Sequence, residues 1–233
     1  MTPRALILSA GRGERLRPLT DLRPKPLLQV RGRPLIEWHL QALVQAGVRD
    51  VVINTAWLEE QFPAALGDGA RWGLRLHYST EGRDHGGALE TAGGIAKALP
   101  LLGEVFWVVA GDVFVPGFAF AAADAARFAA GDDLAQLWLV PNAPHHPLGD
   151  FAIGTGGRAL RDAPDRLTWA SVGLFRARMF AGIAAGTRLA LTPLLVQAAA
   201  AGKLGAARWP GESTDVGTVQ RLAALNGDVL GGA

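Results

Sequence analysis

The chain has 233 residues, 49% of them apolar and 19% charged, which is ample for a large core and too apolar for a disordered chain. Lys and Arg number 23 against 21 Asp and Glu, and the resulting +2 gives no footing for nucleic-acid binding. Cysteine is absent, which excludes disulfides, zinc–thiolate sites and a cysteine nucleophile.

Apolar runs alternate with helical patterns along the first half. Residues 5–9 read as a buried strand. Residues 34–47 read as a helix, with Leu35, Ile36, Leu40, Leu43 and Val44 at helical spacing, Pro34 in its first turn and Gly47 at its end. A strand at 51–55, a helix at 57–66, a strand at 74–79, a helix at 89–99 and a strand at 105–110 follow. The second half reads as a helix at 119–130, a strand at 134–140, a turn-rich loop at 141–147 and a short strand at 151–153. A strand at 167–175, a helix at 189–201 and a C-terminal helix at 216–230 complete it. This alternation implies βαβ units and a Rossmann-like α/β fold, with a mostly parallel, mixed central sheet flanked by helices. No run of about 18 uninterrupted apolar residues occurs, so no membrane span is expected. The apolar run after Arg4 is too short for a signal peptide, and the cytoplasm is the expected location.

Open α/β sheets bind ligands beyond the carboxyl ends of their strands, so the loops at 10–26, 80–94 and 111–113 should converge. The first of these carries Gly11-Arg12-Gly13-Glu14-Arg15-Leu16-Arg17-Pro18-Leu19-Thr20 and then Pro24-Lys25-Pro26. Two glycines and free backbone N–H groups can wrap a phosphate chain closely, and Arg15 and Lys25 add positive charge, with Arg12 and Arg17 nearby. No Gly-Lys-[Ser/Thr] follows, so this is not a Walker A loop. Leu16 stands where a dinucleotide fingerprint needs its third Gly. Only 3 of the 23 basic residues are Lys, which singles out Lys25, held between two prolines that stiffen its backbone.

This constellation resembles the sugar-1-phosphate nucleotidyltransferase (NDP-sugar pyrophosphorylase) family, whose signature is a Gly-x-Gly-x-Arg-x-x-Pro-Leu-Thr loop followed by Lys-Pro. The resemblance continues through Leu89-Glu90-Thr91-Ala92-Gly93-Gly94, Gly111-Asp112 and Asp215-Val216-Gly217-Thr218. Pro144-His145-His146 with Gly149-Asp150-Phe151 looks closest to the branch that uridylylates N-acetylmuramic acid α-1-phosphate in peptidoglycan recycling. The resemblance implies a single nucleotidyltransferase domain over 1–233, with residues 1–115 as the nucleotide-binding half and 116–233 as the sugar-binding half. The left-handed β-helix domain that some relatives carry is not expected.

The implied reaction is attack of a sugar-1-phosphate oxygen on the α-phosphorus of a nucleoside triphosphate, with pyrophosphate leaving. Both reactants are anions, so alignment and cations carry the rate. By resemblance Asp112 and Asp215 hold Mg²⁺, Lys25 meets the α-phosphate and Arg15 the β/γ-phosphates. Gly11, Gly13, Glu14 and Gly94 make further nucleotide contacts, and Asp150 and Ser171 face the sugar. The expected partners are a nucleoside triphosphate, first UTP, and a sugar 1-phosphate, in a monomer or small homo-oligomer. Adjacent His145 and His146 should point apart rather than share one ion.

Several positions depart from the family pattern. Residues 81–88, where the base is expected to be read, form a longer loop without the usual Pro. Ala110 and Ser171 replace a polar residue and a Gly. Ser213 stands where a Trp precedes the second Asp. Rival readings are a mannose-1-phosphate guanylyltransferase or another hexose-1-phosphate enzyme, and a non-catalytic nucleotide-sugar sensor.

Overall fold

Short runs, most of them apolar, become seven strands of one sheet in the computed structural model, which describes residues 3–227. They are β1 (Arg4–Leu8), β2 (Asp50–Thr55), β3 (Arg75–Thr80), β4 (Val105–Ala110), β5 (Ala135–Val140), β6 (Thr168–Arg176) and β7 (Leu204–Arg208). Their order is β7-β5-β6-β4-β1-β2-β3, so strands from both halves of the chain share the sheet. Only β6 runs against its neighbours; the other pairings are parallel. The expected mixed, mostly parallel sheet is what forms.

Period-two alternation sends Ala5 and Ile7 to one face of β1 and Leu6 to the other. On the first face Ile36, Leu40 and Leu43 of α1 (Leu35–Gln45) pack with Trp107, Trp138 and Phe62, the last from α2 (Gln61–Leu66). On the second face Phe106 and Leu137 meet Ile95 and Leu195. Each of these side chains contributes about 1.5–3 kcal/mol by leaving water. A third, smaller cluster joins Leu16, Leu28, Leu35, Phe114, Val216 and Leu222, with Val30 among them.

Several boundaries differ from the sequence reading. α2 begins at Gln61 rather than at 57, because Leu58 sits at φ 47° and breaks a helical path there. Pro34 precedes α1 and pairs with Gln29 in a two-residue ribbon. Part of the expected loop 81–88 is a helix, α3 (Glu81–His85). Lys97 ties it down by donating to Thr80 O at 2.9 Å and Asp84 Oδ2 at 2.7 Å. Gly82 lets it approach the turn after β2, since a Cβ there would lie 2.5 Å from Ala56 O. α4 (Glu90–Ala98) and α5 (Ala122–Ala130) fall within their expected ranges, as does α6 (Thr192–Ala200). β7 carries the sequence Leu-Gly-Ala-Ala-Arg, which has no β propensity to signal it, and it forms by pairing with β5 at the sheet edge. The C-terminal helix is α7 (Val219–Asn226), and residues 228–230 of the expected range lie outside the described residues. No described helix is long and apolar enough to cross a membrane.

Candidate active site

From β1 the sheet first grows through β2 to β3, and β4 then returns to the other side of β1. Such a reversal opens a crevice beyond the carboxyl ends of the two strands. A cleft of about 540 Å³ lies there, and Gly11, Gly13, Glu14, Arg15, Lys25 and Asp112 all line it. The loop after β1, the Lys25 segment and the loop after β4 therefore do converge.

The glycine loop is pinned where it leaves β1. Ser9 N–H donates to Asn54 Oδ1 at 2.8 Å, and Gly111 N–H donates to Leu8 O at 2.8 Å. Gly13 turns the loop at φ 68°, and Thr20 Oγ1 donates to its carbonyl at 2.9 Å. Arg12 stacks 3.7 Å above Trp57 and, like Arg17, pairs with Asp21. The hydrogen bond from Arg12, with help from Arg17, holds the Asp21 carboxyl below its usual range. Arg12 and Arg17 thus brace the loop, while Arg15 and Glu14 stay exposed at its rim.

The two glycines do different work. A Cβ on Gly13 would meet Thr20 Cγ2 at 3.0 Å and force a left-handed side chain, whereas nothing lies within 4 Å of one on Gly11. Gly13→Ala is therefore expected to lower stability by about 1–2 kcal/mol. Gly11→Ala is expected to melt like the parent and to raise the KM for the nucleotide, because the space it fills is the space a phosphate chain would approach. Thermal melts and nucleotide KM values for both variants check this split.

Lys25 begins a 3₁₀ turn, Lys25–Leu27, and its side chain is only 8% exposed. Its Nζ lies 2.7 Å from Asp112 Oδ2 and 3.8 Å from Asp215 Oδ1. A two-residue ribbon creates that geometry: Val113–Phe114 pairs antiparallel with Thr214–Asp215, and Val216 N–H donates to Asp112 O at 3.0 Å. Carboxylates 103 positions apart in the chain thus face one ammonium. Behind them, α1 buries His39, which bonds the backbone at Val113, and desolvation holds its imidazole down to about 4.

Four expected site residues lie outside the cleft lining: Asp215, whose neighbour Gly217 lines it, and Gly94, Asp150 and Ser171. Gly94 is behind the wall: a Cβ there would come within 2.5 Å of Glu81 Oε1 and 2.7 Å of Asn54 Nδ2. Its small size makes room for a buried pair in which Asn54 donates to Glu81 at 2.6 Å, while Glu81 also accepts from Leu89 N–H at 2.7 Å. Burial pushes the Glu81 carboxyl up, opposed by those hydrogen bonds. The start of the 81–88 segment is thus turned into the protein, and Ala88, Glu90 and Thr91 form the cleft wall instead. Asp150 accepts from Trp169 N–H at 2.8 Å and faces His146 Nε2 at 3.2 Å, so both of its oxygens already have protein partners. Ser171 sits in a bulge of β6 at φ 57°, a left-handed conformation that suits the Gly of the family pattern better than Ser. His145 and His146 do diverge, the first toward Arg221 at 2.6 Å and the second toward Asp150.

Sequence reasoning missed Asn54, Glu81 and Arg221. Asn54 could have been noticed as the lone amide near the end of an apolar strand. Arg221 gave no signal, because Asp215 six positions earlier is in a strand and no helical spacing relates them.

Residues 4–230 match the family model for nucleotidyl transferases. N-acetylmuramate alpha-1-phosphate uridylyltransferase of Neisseria meningitidis serogroup B is 48% identical over 222 residues, covering 94% of this chain and 95% of that protein. Mannose-1-phosphate guanylyltransferase of Mycobacterium tuberculosis is 37% identical over 57% of this chain and 32% of its own length. A Bacillus anthracis protein described as a glucose-1-phosphate thymidylyltransferase superposes with a TM-score of 0.80. That superposition covers 99% of this chain and 97% of the other at 22% identity, which establishes the shared fold. The glycine loop, the Lys25 ammonium between two aspartates and the match across nearly the whole length together place the chain in the nucleotidyl transferase family.

Proposed function

We propose that this enzyme transfers a uridylyl group from UTP to N-acetylmuramic acid 1-phosphate and releases pyrophosphate. The observation that carries the choice of substrates is the 48% identity to a uridylyltransferase of that kind over 94% of the chain. The chemistry is balanced without a covalent enzyme intermediate. A sugar-phosphate oxygen forms a bond to the α-phosphorus, and the bond from that phosphorus to the β-bridging oxygen breaks. The attacking oxygen is already ionised at neutral pH, so no general base is needed.

What the protein must supply is alignment and positive charge. The loop N–H groups from Gly11 to Arg15 cradle the triphosphate, Arg15 takes the β/γ-phosphates that depart, and Lys25 takes the α-phosphate. The Ala88–Thr91 wall receives the base. Residues 116–233 supply the sugar side, with Asp150 ordering the Trp169 backbone beside it.

The donor set fits Mg²⁺. Asp112 and Asp215 offer carboxylate oxygens around one point, and no larger cluster of His, Asp or Glu able to hold a metal occurs among the described residues. A hard ion of this type takes few protein carboxylates and completes its shell with phosphate and water. When bound, it neutralises phosphate charge during the transfer.

Pyrophosphate release measured over a panel of UTP, GTP, dTTP and ATP against N-acetylmuramic acid, glucose and mannose 1-phosphates tests this reading. UTP with N-acetylmuramic acid 1-phosphate should give the highest kcat/KM. A maximum with GTP and mannose 1-phosphate would replace it with the guanylyltransferase assignment. Binding without any turnover would leave the sensor.

A further inference from the structure

Asp215 is held by its two oxygens in two different ways. Oδ2 accepts from Arg221 Nη1 at 2.8 Å, while Oδ1 faces Lys25 at 3.8 Å. The same Arg221 nitrogen donates its other hydrogen to His145 Nε2 at 2.6 Å. His145 is therefore an acceptor here, with its proton on Nδ1, and its 3.9 Å approach to Asp215 Oδ2 is not an ion pair.

Local structure is arranged for this bridge. The Thr218 hydroxyl caps α7 by accepting from Arg221 N–H at 3.2 Å, which fixes the start of the helix that carries the guanidinium. Gly217 leaves the space the guanidinium needs, since a Cβ there would lie 2.5 Å from Arg221 Nη2 and 2.8 Å from Asp215 Oδ2. Leu222, beside Arg221, and Val216, beside Asp215, pack in one apolar cluster. The Arg221 side chain is 20% exposed, so its charge is only partly screened by water.

We propose that Arg221 is a positioning residue that locks Asp215 with Oδ1 toward Lys25 and Asp112, and that through His145 it ties the sugar-side loop 141–150 to this carboxylate. The inference rests on the proposed function above. Without Arg221, Asp215 is free to rotate and to engage Lys25 with both oxygens. That takes one carboxylate oxygen from a cation and restrains the lysine that must reach a phosphate. The same loop carries the His146–Asp150 pair, so Arg221 joins the sugar side of the site to the Asp112–Asp215 side. The guanidinium serves both partners from Nη1 while its Nη2 lies close over the Gly217 turn, and the shorter lysine side chain, with a freely rotating ammonium, does not hold that geometry.

The test uses the full chain and the variants Arg221→Gln, Arg221→Lys and His145→Ala. Mn²⁺ binding is read by the loss of the free-ion electron paramagnetic resonance signal in the presence of UTP and absence of sugar phosphate, alongside steady-state kinetics and thermal melts. Arg221→Gln should weaken Mn²⁺ binding by about 10–100-fold, the range found for groups that orient a ligand from behind. Arg221→Lys should recover only part of this. His145→Ala should leave Mn²⁺ binding close to the parent and raise the KM for the sugar 1-phosphate without changing that for UTP. Parent-like Mn²⁺ binding in a folded Arg221→Gln overturns the proposal, as does full rescue by Lys. If Arg221→Gln does not fold, the Lys variant alone decides. A wild-type chain that turns over no pair in the panel sinks the proposed function, whereas the Mn²⁺ measurement still reports on Arg221.

Discussion

Asp112→Asn is expected to fold like the parent and to lose kcat by about 10²–10³-fold, the scale found when one preorganised electrostatic contact to a transition state is removed. The side chain is 43% exposed, and the Asn oxygen can still accept from Lys25, so little stability rides on the charge. What disappears is one of the two negative charges around which a divalent cation would gather. Asp215 keeps its bond to Arg221 and Val216 its bond to Asp112 O, so the ribbon itself persists. Pyrophosphate release across an Mg²⁺ titration, together with a thermal melt, separates loss of metal affinity from loss of structure. Unchanged Mg²⁺-dependent turnover would remove Asp112 from the site.

Lys25→Met should cost about 10²–10³-fold in kcat for a different reason, since it removes the cation assigned to the α-phosphate. Methionine keeps the apolar stem of the buried side chain and falls one atom short of its tip. Mn²⁺ binding without nucleotide should not weaken, and should tighten, because the ammonium now sits where it competes for both carboxylates. Lys25→Arg should not rescue turnover. The position is enclosed, with Gly13 close against the Lys25 Cβ, and a forked guanidinium presents its charge differently from a point ammonium. Opposite movements of kcat and Mn²⁺ affinity in Lys25→Met distinguish this role from a merely structural one. Parallel losses in both would make Lys25 a scaffold residue.

The elements that were legible in the sequence are those whose pattern is local. β4 has its bounds written in the sequence because Val105–Ala110 is apolar, β-branched and short. The glycine loop and Lys25 were legible for the same reason, lying within a few positions of one another after β1. Elements set by tertiary contact were not. β7 has only Gly and Ala between its terminal Leu and Arg and exists because β5 offers it an edge. The ribbon that aligns Asp112 with Asp215 is two residues per strand, below the length at which any periodicity appears. Glu81 falls by sequence on the expected base loop, and its inward turn depends on Asn54, 27 positions away in the chain. Arg221 escaped notice because its partners, His145 and Asp215, come from two other segments.

The small third cluster has one residue within three positions of each of five charged groups of the site. Leu16 follows Arg15, Leu28 lies beyond Lys25, Phe114 beyond Asp112, Val216 beyond Asp215 and Leu222 beyond Arg221. Two aspartates that repel one another, and the cations interleaved with them, are thereby kept at fixed spacings by apolar contacts beneath them. The electrostatic pattern consequently inherits the thermal law of oil in water: its alignment is set by contacts that are driven largely by solvent entropy near room temperature and that slacken on cooling.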